Sequence, residues 1–399
     1  MIPRDAGASG ENGRGADMSD KETDYKVEEN NAFFWYWFVN ISGVGSVSRK
    51  KLLDRFIHPA VLYHAGKREY EDILSPKQCV YLQNSRNTYR INQSMQKLET
   101  SGVRFVHWES PEYPRKFRQL FDPPYGIYVK GRLPAEDMPV LGMVGSRAAT
   151  PYGLHMAQSF AESLALQGIQ IVSGLAAGID AASHRGALRA GRYTLGILGG
   201  GIDSMYPREN FSLYMQMYER GGVLSEYNLG VPNSPGLFPL RNRLISGIAD
   251  GVFVLEAGEK SGSFITIDQA LEQGKEVFAM PGRVSDPLSA GCNRLIAEGA
   301  SLVQCPEDIA GQLLAKYAKS EKKNGKEQVK FAKERAACLL EDPEQQRIYE
   351  LLDAKNPTSF NELLEKSGYN FVKLQYILLE MEISQYIYQP SQNTYLRKF

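Results

Sequence analysis

The sequence has little of what marks several common protein classes. It contains 4 cysteines among 399 residues, and none of them form a CxxC pair, so we expect a reducing compartment and no structural zinc. Its 5 histidines are scattered, without metal-ligand spacing to cysteines or carboxylates. No apolar run is long enough to cross a membrane. These absences predict a cytoplasmic protein that binds no metal and does not enter a membrane.

The sequence also lacks an excess of charge of either sign. Its 46 basic residues balance its 46 acidic ones, which argues against a chain that is basic throughout but allows a local basic groove. Residues 1–30 are polar and lack the apolar core of a signal peptide, so we expect a disordered leader there.

Apolar strands and amphipathic helices alternate over residues 138–315. The strand candidates are Val140–Val144, Gln170–Ser173, Thr194–Leu198, Val223–Glu226, Gly251–Leu255 and Glu276–Ala279. The helices between them include Gly153–Leu166, Asp180–Ala190 and Ser263–Glu272. Short, continuously apolar strands separated by helices are typical of a parallel sheet that is covered on both faces. The pattern predicts an α/β fold with a doubly wound, Rossmann-like, mostly parallel sheet.

Loops rich in glycine and basic residues follow these predicted strands. They are Gly145-Ser146-Arg147, Ser173-Gly174 to Asp180, Gly199-Gly200-Gly201, the loop that ends in Arg241-Asn242-Arg243, and Lys260-Ser261-Gly262-Ser263. Ligands of such sheets bind beyond the carboxyl ends of the strands, where helix N-termini offer backbone N–H groups to phosphates. Several separated phosphate-sized sites favour an extended polyanion over a mononucleotide, although one dinucleotide would also use two such loops.

Known nucleotide fingerprints are missing from these loops. The sequence has no GxGxxG after the first strand and no GxxxxGK[ST]. His184 has no evident nucleophile or orienting carboxylate, which favours a structural histidine over a general base. Asp180 is more simply read as a helix cap than as a reactive group.

Helical segments occupy residues 31–105. In this region Gly43-Val44-Gly45 separates two helices and is followed by Arg49, Lys50 and Lys51, while Tyr81–Leu98 reads as one long polar helix. The glycine hairpin either presents N–H groups to a nucleic-acid phosphate or is a plain turn, and the sequence favours neither. Residues 106–137 are rich in proline and read as a connecting strap with one short strand, Gly126–Val129.

The C-terminal part divides into a linker and a small domain. Residues 316–340 are lysine-rich and read as a charged tether. Residues 341–399 predict a winged helix, with helices Gln345–Leu352, Ser359–Ser367 and Phe371–Met381 followed by a hairpin of Ile383–Gln389 and Thr394–Lys398. Its last helix carries Lys373 as the only basic residue, which favours a contact with protein over groove reading in DNA.

Taken together, the loops resemble the DNA-processing protein A family (DprA, also called Smf), from about Phe33 to the C-terminus. The segments that carry the resemblance are Val144-Gly145-Ser146-Arg147, Ser173-Gly174-Leu175-Ala176-Ala177-Gly178-Ile179-Asp180, Leu198-Gly199-Gly200-Gly201-Ile202-Asp203, Phe238-Pro239-Leu240-Arg241-Asn242-Arg243, Lys260-Ser261-Gly262-Ser263 and Ala279-Met280-Pro281-Gly282. Their order and spacing make the resemblance specific.

The resemblance implies a protein that is not an enzyme, needs no cofactor and binds single-stranded DNA. It implies protection of DNA taken up in natural transformation, loading of RecA recombinase, a homodimer formed through the Rossmann-like domain, an N-terminal domain like a sterile alpha motif or helix-hairpin-helix, and a C-terminal winged helix. The DNA-binding residues that it implies are Gly145, Ser146, Arg147, Gly174, Arg241, Asn242, Arg243, Lys260, Ser261, Gly262 and Ser263. Phe264 stands where the family has a threonine or leucine, and it either contacts a base or packs on the sheet.

The competing interpretation is a nucleotide-binding enzyme of the phosphoribohydrolase type. That related group uses a Pro-Gly-Gly-x-Gly-Thr loop followed by a glutamate. Here the corresponding place reads Lys260-Ser261-Gly262-Ser263-Phe264-Ile265-Thr266, without the doubled glycine or the adjacent acid. This difference favours DNA binding over hydrolysis.

Overall fold

The computed structural model describes residues 31–317, 342–353, 357–383, 386–391 and 393–397. The predicted leader over residues 1–30 and nearly all of the predicted linker lie outside the described residues. The chain divides into two compact units, Met1–Leu314 and Ala315–Phe399. No helix in the described ranges combines the length and the apolarity that a membrane span requires.

The first unit begins with a group of helices. Their bounds are α1 (31–39), α2 (Ser46–Phe56), α3 (Pro59–His64), α4 (Pro76–Ser85) and α5 (Thr88–Thr100). The prediction of one helix over Tyr81–Leu98 is wrong, because this segment contains the end of α4 and most of α5, with a non-helical turn between them. The side chain of Asn87 accepts a hydrogen bond from the backbone N–H of Arg90, and this N-cap starts a new helix.

A nine-stranded sheet follows. Its strands are β1 (Arg104–His107), β2 (Gly126–Gly131), β3 (Val140–Val144), β4 (Gln170–Ser173), β5 (Thr194–Gly201), β6 (Gly222–Tyr227), β7 (Gly251–Val254), β8 (Glu276–Ala279) and β9 (Ser301–Leu302). Their spatial order is β1-β2-β6-β5-β4-β3-β7-β8-β9. The run from β6 to β9 is parallel, whereas β2 pairs antiparallel with β6, and β1 antiparallel with β2. The predicted doubly wound, mostly parallel sheet is confirmed.

Two features of the sheet differ from the sequence-based expectation. Strand β1 spans the predicted boundary between the helical region and the strap, and the strap contributes β2, so it extends the sheet instead of only linking two domains. Gly199, Gly200 and Gly201 end β5 and are not a loop. A Cβ atom on Gly199 would lie 2.7 Å from the ring of Phe238, so the glycine allows the start of the helix Leu237–Ile248 to pack closely on the strand.

Helices cover both faces of the sheet. They are α6 (Pro151–Leu166), α7 (Ile179–Arg189), α8 (Phe211–Arg220), α9 (Leu237–Ile248), α10 (Ser263–Glu272), α11 (Ala290–Ala297) and α12 (306–317). Alternate residues of β3 enter different cores: Leu141 and Met143 pack with α6 and α7, whereas Val140 and Val144 pack with α9 and α10. Burial on both faces explains why the strands read as continuous apolar runs.

The second unit has its own small core. Its elements are α13 (Pro343–Leu351), β10 (Thr358–Ser359), α14 (Phe360–Ser367), α15 (Phe371–Ile383), β11 (Ile387–Ser391) and β12 (Thr394–Arg397). The strands form an antiparallel sheet in the order β10-β12-β11. Leu363, Leu374 and Met381 are fully buried between the helices and this sheet. The observed bounds lie close to the predicted ones, and the assignment as a winged helix stays a prediction.

Candidate functional site

The strand order places a crevice beside β3. The chain runs outward from β3 through β4, β5 and β6, then crosses back to β7 on the other side of β3. The loops that follow β3 and β7 therefore diverge at this switch point, which is where open α/β sheets bind their ligands. Gly145, Ser146 and Arg147 come from the first loop, and Ser261, Gly262 and Ser263 from the second.

Backbone hydrogen bonds fix the turn after β3. The N–H of Ser146 donates to the carbonyl of Glu256 at 2.7 Å, and the carbonyl of Ser146 accepts from the N–H of Ile179 at 3.2 Å. These bonds tie the turn to the end of β7 and to the start of α7. Arg147 follows immediately, and its side chain is exposed at the crevice.

The N-terminus of α6 is not the phosphate site that the sequence suggested. The Glu256 carboxylate accepts from the Thr150 backbone N–H at 2.8 Å and from the Thr150 hydroxyl at 2.5 Å. The hydroxyl oxygen of Thr150 in turn accepts from the N–H of Gly153 at 3.0 Å, as an N-cap. An anion of the protein itself therefore lies at this helix end, and the N–H groups of Thr150 and Gly153 are used internally.

The start of α10 is open by comparison. Helix α10 begins at Ser263 directly beside the crevice, and its N-cap residue, Gly262, has no side chain to cap it. The N–H of Ser263 donates to the hydroxyl of Ser261 at 3.3 Å, and the N–H of Phe264 donates to the carbonyl of Ser261 at 3.1 Å. The hydroxyls of Ser261 and Ser263 lie 2.7 Å apart, and Lys260 precedes them as an exposed cation. A helix N-terminus that carries two serine hydroxyls next to a lysine is suited to a phosphate.

Arg241 forms the floor of the crevice. Its guanidinium donates to the carbonyl of Gly174 at 2.6 Å and to the carbonyl of Ile197. A Cβ atom on Gly174 would lie 2.6 Å from this guanidinium, so only glycine fits at that position. Burial lowers the pKa of Arg241 to about 10, while the Asp180 carboxylate acts in the opposite direction and the charge of Arg147 adds to the lowering. Arg241 is thus a buried fixed charge that supports the site from below.

Asp180 and His184 have structural partners. The Asp180 carboxylate accepts from the N–H groups of Gly174 and Ala176, at 3.1 and 3.4 Å, so it shapes the loop before α7 instead of capping that helix. His184 is fully buried, and its Nδ1 lies 2.7 Å from the hydroxyl of Thr194. Burial, with the charges of nearby arginines, lowers the pKa of His184 to about 3, so the ring is neutral. The preference for a structural histidine agrees with these contacts.

These groups enclose one cavity of about 600 Å³, called the switch-point cavity below. It is lined by Val144, Gly145, Ser146, Arg147, Ala148, Ala176, Asp180, Tyr206, Pro235, Phe238, Pro239, Arg241, Asn242, Ile245, Ser261, Gly262, Ser263, Ile265 and Thr266. The Arg147 guanidinium lies 5.1 Å from the centre of the Phe238 ring. The Tyr206 ring lies 6.0 Å from Phe238, and its side chain is 54% exposed. The cavity therefore combines cationic groups with aromatic surface.

The structure separates some of the residues that the sequence placed together. Gly174 lines a small neighbouring pocket with Arg147 and Arg241. Phe264 is half-buried, packs against the sheet core and carries the Arg294 guanidinium 4.3 Å above its ring. It lies outside the lining of the switch-point cavity, so the interpretation that it packs on the sheet fits its contacts.

Arg243 lies on a different face of α9 from Arg241. It is buried and forms ion pairs with Glu226 at 2.5 Å and with Asp122 at 3.2 Å. It lines a second cavity, beside the hairpin before α2. Helical spacing explains this separation, since residues two apart on a helix point in different directions.

Sequence reasoning missed Glu256 and gave no site role to Phe238 or Tyr206. Glu256 had one local signal, an acidic residue between Leu255 and Ala257 at the end of a buried strand. Its partner Thr150 is 106 residues away in the chain, so the bond itself cannot be read from sequence. Phe238 and Tyr206 come together only through the fold.

Comparison with known proteins places this cavity within a shared region. The family model for DNA recombination-mediator protein A matches residues 104–314, which contain every lining residue of the switch-point cavity. Protein Smf of Escherichia coli is 42% identical over 224 residues, 56% of this chain and 60% of that protein, so less than two thirds of its length is matched. DNA processing protein DprA of Bacillus subtilis is 40% identical over 218 residues, 53% of this chain and 72% of that protein.

A solved structure shows the same architecture. The X-ray structure of DNA processing protein A from Streptococcus pneumoniae aligns with a TM-score of 0.63 and 32% sequence identity. The alignment covers 70% of this chain and 98% of that one.

Proposed function

The chain belongs to the DNA recombination-mediator protein A family (DprA/Smf). Because it does, we propose that it binds single-stranded DNA in the switch-point cavity. One observation carries the proposal: an exposed arginine, Arg147, and the N-terminus of α10 with the hydroxyls of Ser261 and Ser263 meet in one crevice, and the exposed Lys260 directly precedes Ser261 in the chain. These are donors for phosphate oxygens, and they face an open cavity instead of a carboxylate of the protein.

The proposed mechanism combines charge with stacking. Arg147 and Lys260 clamp the backbone of the strand, and a serine hydroxyl at the positive end of α10, from Ser261 or Ser263, donates to a phosphate. Tyr206 and Phe238 offer ring faces to the bases, which any base can use, so binding tolerates all sequences. A cavity of about 600 Å³ admits single nucleotides, and a base-paired segment does not fit into it.

The finer role follows the family resemblance. We propose that the protein protects incoming DNA during natural transformation, loads a RecA recombinase onto it, works in the cytoplasm and forms a homodimer through its Rossmann-like domain. In such a homodimer, the switch-point cavities of the two copies would bind the same strand, and their linkage would raise the effective affinity. In this proposal the protein is not an enzyme and needs no cofactor.

Titration of labelled oligonucleotides tests the proposal. Wild type should bind single strands tightly and duplex weakly, with affinity that falls as salt rises. Arg147→Ala and Lys260→Ala should each lose roughly 10- to 100-fold, the worth of a charge-assisted hydrogen bond. Each should also lower the salt slope by about 0.7, the value for one phosphate neutralised on a single strand.

The matched control is Arg90→Ala, an exposed arginine on α5 that lines neither cavity. It should bind like wild type. Equal affinity for single strands and duplex, or an equal loss in all variants, would refute the assignment of the cavity.

The enzyme alternative has a separate test. Both acids beside the cavity are engaged, Asp180 with the Gly174–Ala176 loop and Glu256 with Thr150, which disfavours a role in bond cleavage. Incubation with nucleoside monophosphates should release no free base. If wild type releases free base and Glu256→Gln does not, the interpretation as an enzyme of the phosphoribohydrolase type would be favoured over DNA binding.

A further inference from the structure

A second cavity lies where the N-terminal helices meet the sheet domain, within the first unit. Its volume is about 420 Å³, and we call it the hairpin cleft. It is lined by Val39, Asn40, Ile41, Ser42, Gly43, Val44, Gly45, Ser46, Arg49, Asp122, Glu226, Tyr227, Asn228, Val231, Leu240 and Arg243. The glycine hairpin that the sequence left without an assigned role therefore forms one wall of an open cleft.

The two cavities share a wall. Pro239, Arg241 and Asn242 line the switch-point cavity, whereas Leu240 and Arg243, on the same turns of α9, line the hairpin cleft. A helix with its side chains is about 10–12 Å across. A single strand that leaves the first cavity therefore needs only a few nucleotides to cross α9 and reach the second.

The polar groups of the cleft are balanced in charge. Arg49 and Arg243 face Asp122 and Glu226, and Asn228 adds an amide. Arg243 is only 7% exposed, and its Nη1 has no hydrogen-bond partner within the described part of the chain. Such a donor is costly to leave unpaired. A site with donors and acceptors of both signs suits the edge of a nucleobase better than a bare anion, and Leu240 and Val231 give it an apolar side.

The hairpin supplies what a phosphate needs. Helix α2, with 11 residues, begins after Gly45 and has no capping side chain. A Cβ atom on Gly45 would meet nothing within 4 Å, so the space beside the N-cap position is open. An uncapped helix N-terminus of this kind accepts a phosphate oxygen.

We propose that the hairpin cleft binds a further nucleotide of the same single strand, with its phosphate at the hairpin and its base between Glu226, Arg243 and Leu240. The proposal rests on the proposed function, since the strand reaches the cleft from the switch-point cavity. It gives the N-terminal helices a direct part in DNA binding and lengthens the footprint on the strand.

The test uses the full chain and a pair of substitutions at one position. Gly45→Asp places a carboxylate at the N-cap, where it takes the N–H groups and repels phosphate. Because Asp is a favoured N-cap residue and Gly45 has extended backbone angles, with φ −81° and ψ 175°, this variant should be at least as heat-stable as wild type. Gly45→Ala leaves the N–H groups free and serves as the control.

Affinity is measured with thymidylates of about 2 nucleotides, which are too short to cross the width of α9, and of about 15 nucleotides, near the upper end of the site sizes of single-strand binding folds. Gly45→Asp should bind the shorter one like wild type and the longer one roughly tenfold more weakly, about the worth of one charge-assisted phosphate contact. Gly45→Ala should match wild type with both.

The outcomes separate this proposal from the one that it rests on. An unchanged affinity of Gly45→Asp for the longer oligonucleotide overturns the cleft as a binding site, and so does an equal loss for both lengths. If Arg147→Ala has no effect on either length, the switch-point assignment itself fails, whatever Gly45→Asp does.

Discussion

Arg147 and Arg241 belong to the same cavity but are held in opposite ways. Arg241 is buried and spends its donors on the carbonyls of Gly174 and Ile197, so it fixes two loops. Arg147 is exposed and rests on the ring of Phe238. Removing Arg241 would leave two buried carbonyls without a hydrogen-bond donor and the buried Asp180 carboxylate without a nearby positive charge. Both losses destabilise the fold. Substitution of the exposed Arg147 leaves no buried group unpaired in this way, so a change in DNA affinity in Arg147→Ala reports on binding and not on folding.

Buried histidines make the stability of the first unit depend on pH. Burial lowers the pKa of His184 to about 3 and that of His107 to about 4. Unfolding returns each to its ordinary value near 6.5. The unfolded chain therefore takes up protons that the folded chain refuses, and stability is lost as the pH falls below about 6.5.

We predict that His184→Gln weakens this dependence. Each such histidine lowers the free energy of unfolding by up to about 1.4 kcal/mol for every unit by which the pH falls below about 6.5. The difference in unfolding free energy between wild type and His184→Gln should therefore narrow by about 1 kcal/mol from pH 6 to pH 5. Urea unfolding at both pH values measures it. His155→Gln, on the exposed side of α6, is the control, and a difference for His184→Gln that stays constant with pH would contradict the prediction.

For single residues, the sequence predicted which residues line the cavity better than it predicted which groups their side chains contact. Gly145, Ser146, Arg147 and the Ser261–Ser263 loop follow buried strands, so the strand pattern brings them to one edge of the sheet. The role of Phe264 could not be decided from sequence, because it depends on which way its side chain points from α10. Arg294, its partner, belongs to a different helix.

At the scale of single elements, the buried strands were the most predictable part of the fold. Val140–Val144, Gln170–Ser173 and Glu276–Ala279 have the predicted bounds. Continuous apolar runs between glycines and polar residues leave little freedom for strand ends. Strand β1 was missed because Arg104–His107 is short and neither alternates in burial nor is buried throughout, so it carries no clear strand pattern. Its pairing with β2 depends on tertiary contacts that local sequence does not contain.

One carboxylate fastens the first helix to the sheet domain. Glu109, just after β1, accepts from the indole N–H of Trp35 at 3.0 Å and from the amide of Asn31 at 2.8 Å. Burial raises the pKa of Glu109, but these hydrogen bonds and two nearby histidines outweigh it, and the net shift is downward. The ionised carboxylate is thus the form that holds α1.

We expect Glu109→Gln to loosen α1 without unfolding the sheet. Loss of hydrogen bonds to a charged acceptor costs about 1.5–3 kcal/mol locally. Hydrogen exchange over residues 31–39 should become faster, while exchange in β3 to β5 should not change. Glu112→Gln, which removes only an exposed ion pair with Arg104, is the control and should leave α1 protected. Equal exchange rates in both variants would contradict the role given to Glu109.

At the scale of the whole molecule, the chain divides into two units that share no core cluster among the described residues. The core of the second unit draws on residues from Ile348 to Tyr395. Its helix α15 exposes Phe371, Val372, Tyr376 and Leu379, and its Lys373 is paired with Glu344. An apolar, charge-poor helix surface favours a protein partner over a DNA groove.

A chain that ends at Leu314 tests this division. It should bind single-stranded oligonucleotides within about twofold of the full chain, a difference of only about 0.4 kcal/mol, because both cavities lie before that residue. Its thermal unfolding should stay cooperative, as expected for a unit with its own core. A loss of affinity beyond about tenfold would instead assign DNA contacts to the second unit.

The two ends of the large sheet constrain how copies of this protein can assemble. One edge strand, β1, has 4 residues, and the other, β9, has 2. Strands this short offer few free backbone groups to a neighbouring chain, which protects a long sheet against edge-to-edge aggregation. Joining two sheets through them would form only a handful of hydrogen bonds. The homodimer proposed above would therefore be built on side-chain packing between helices and loops, and not on a sheet continued from one copy to the next.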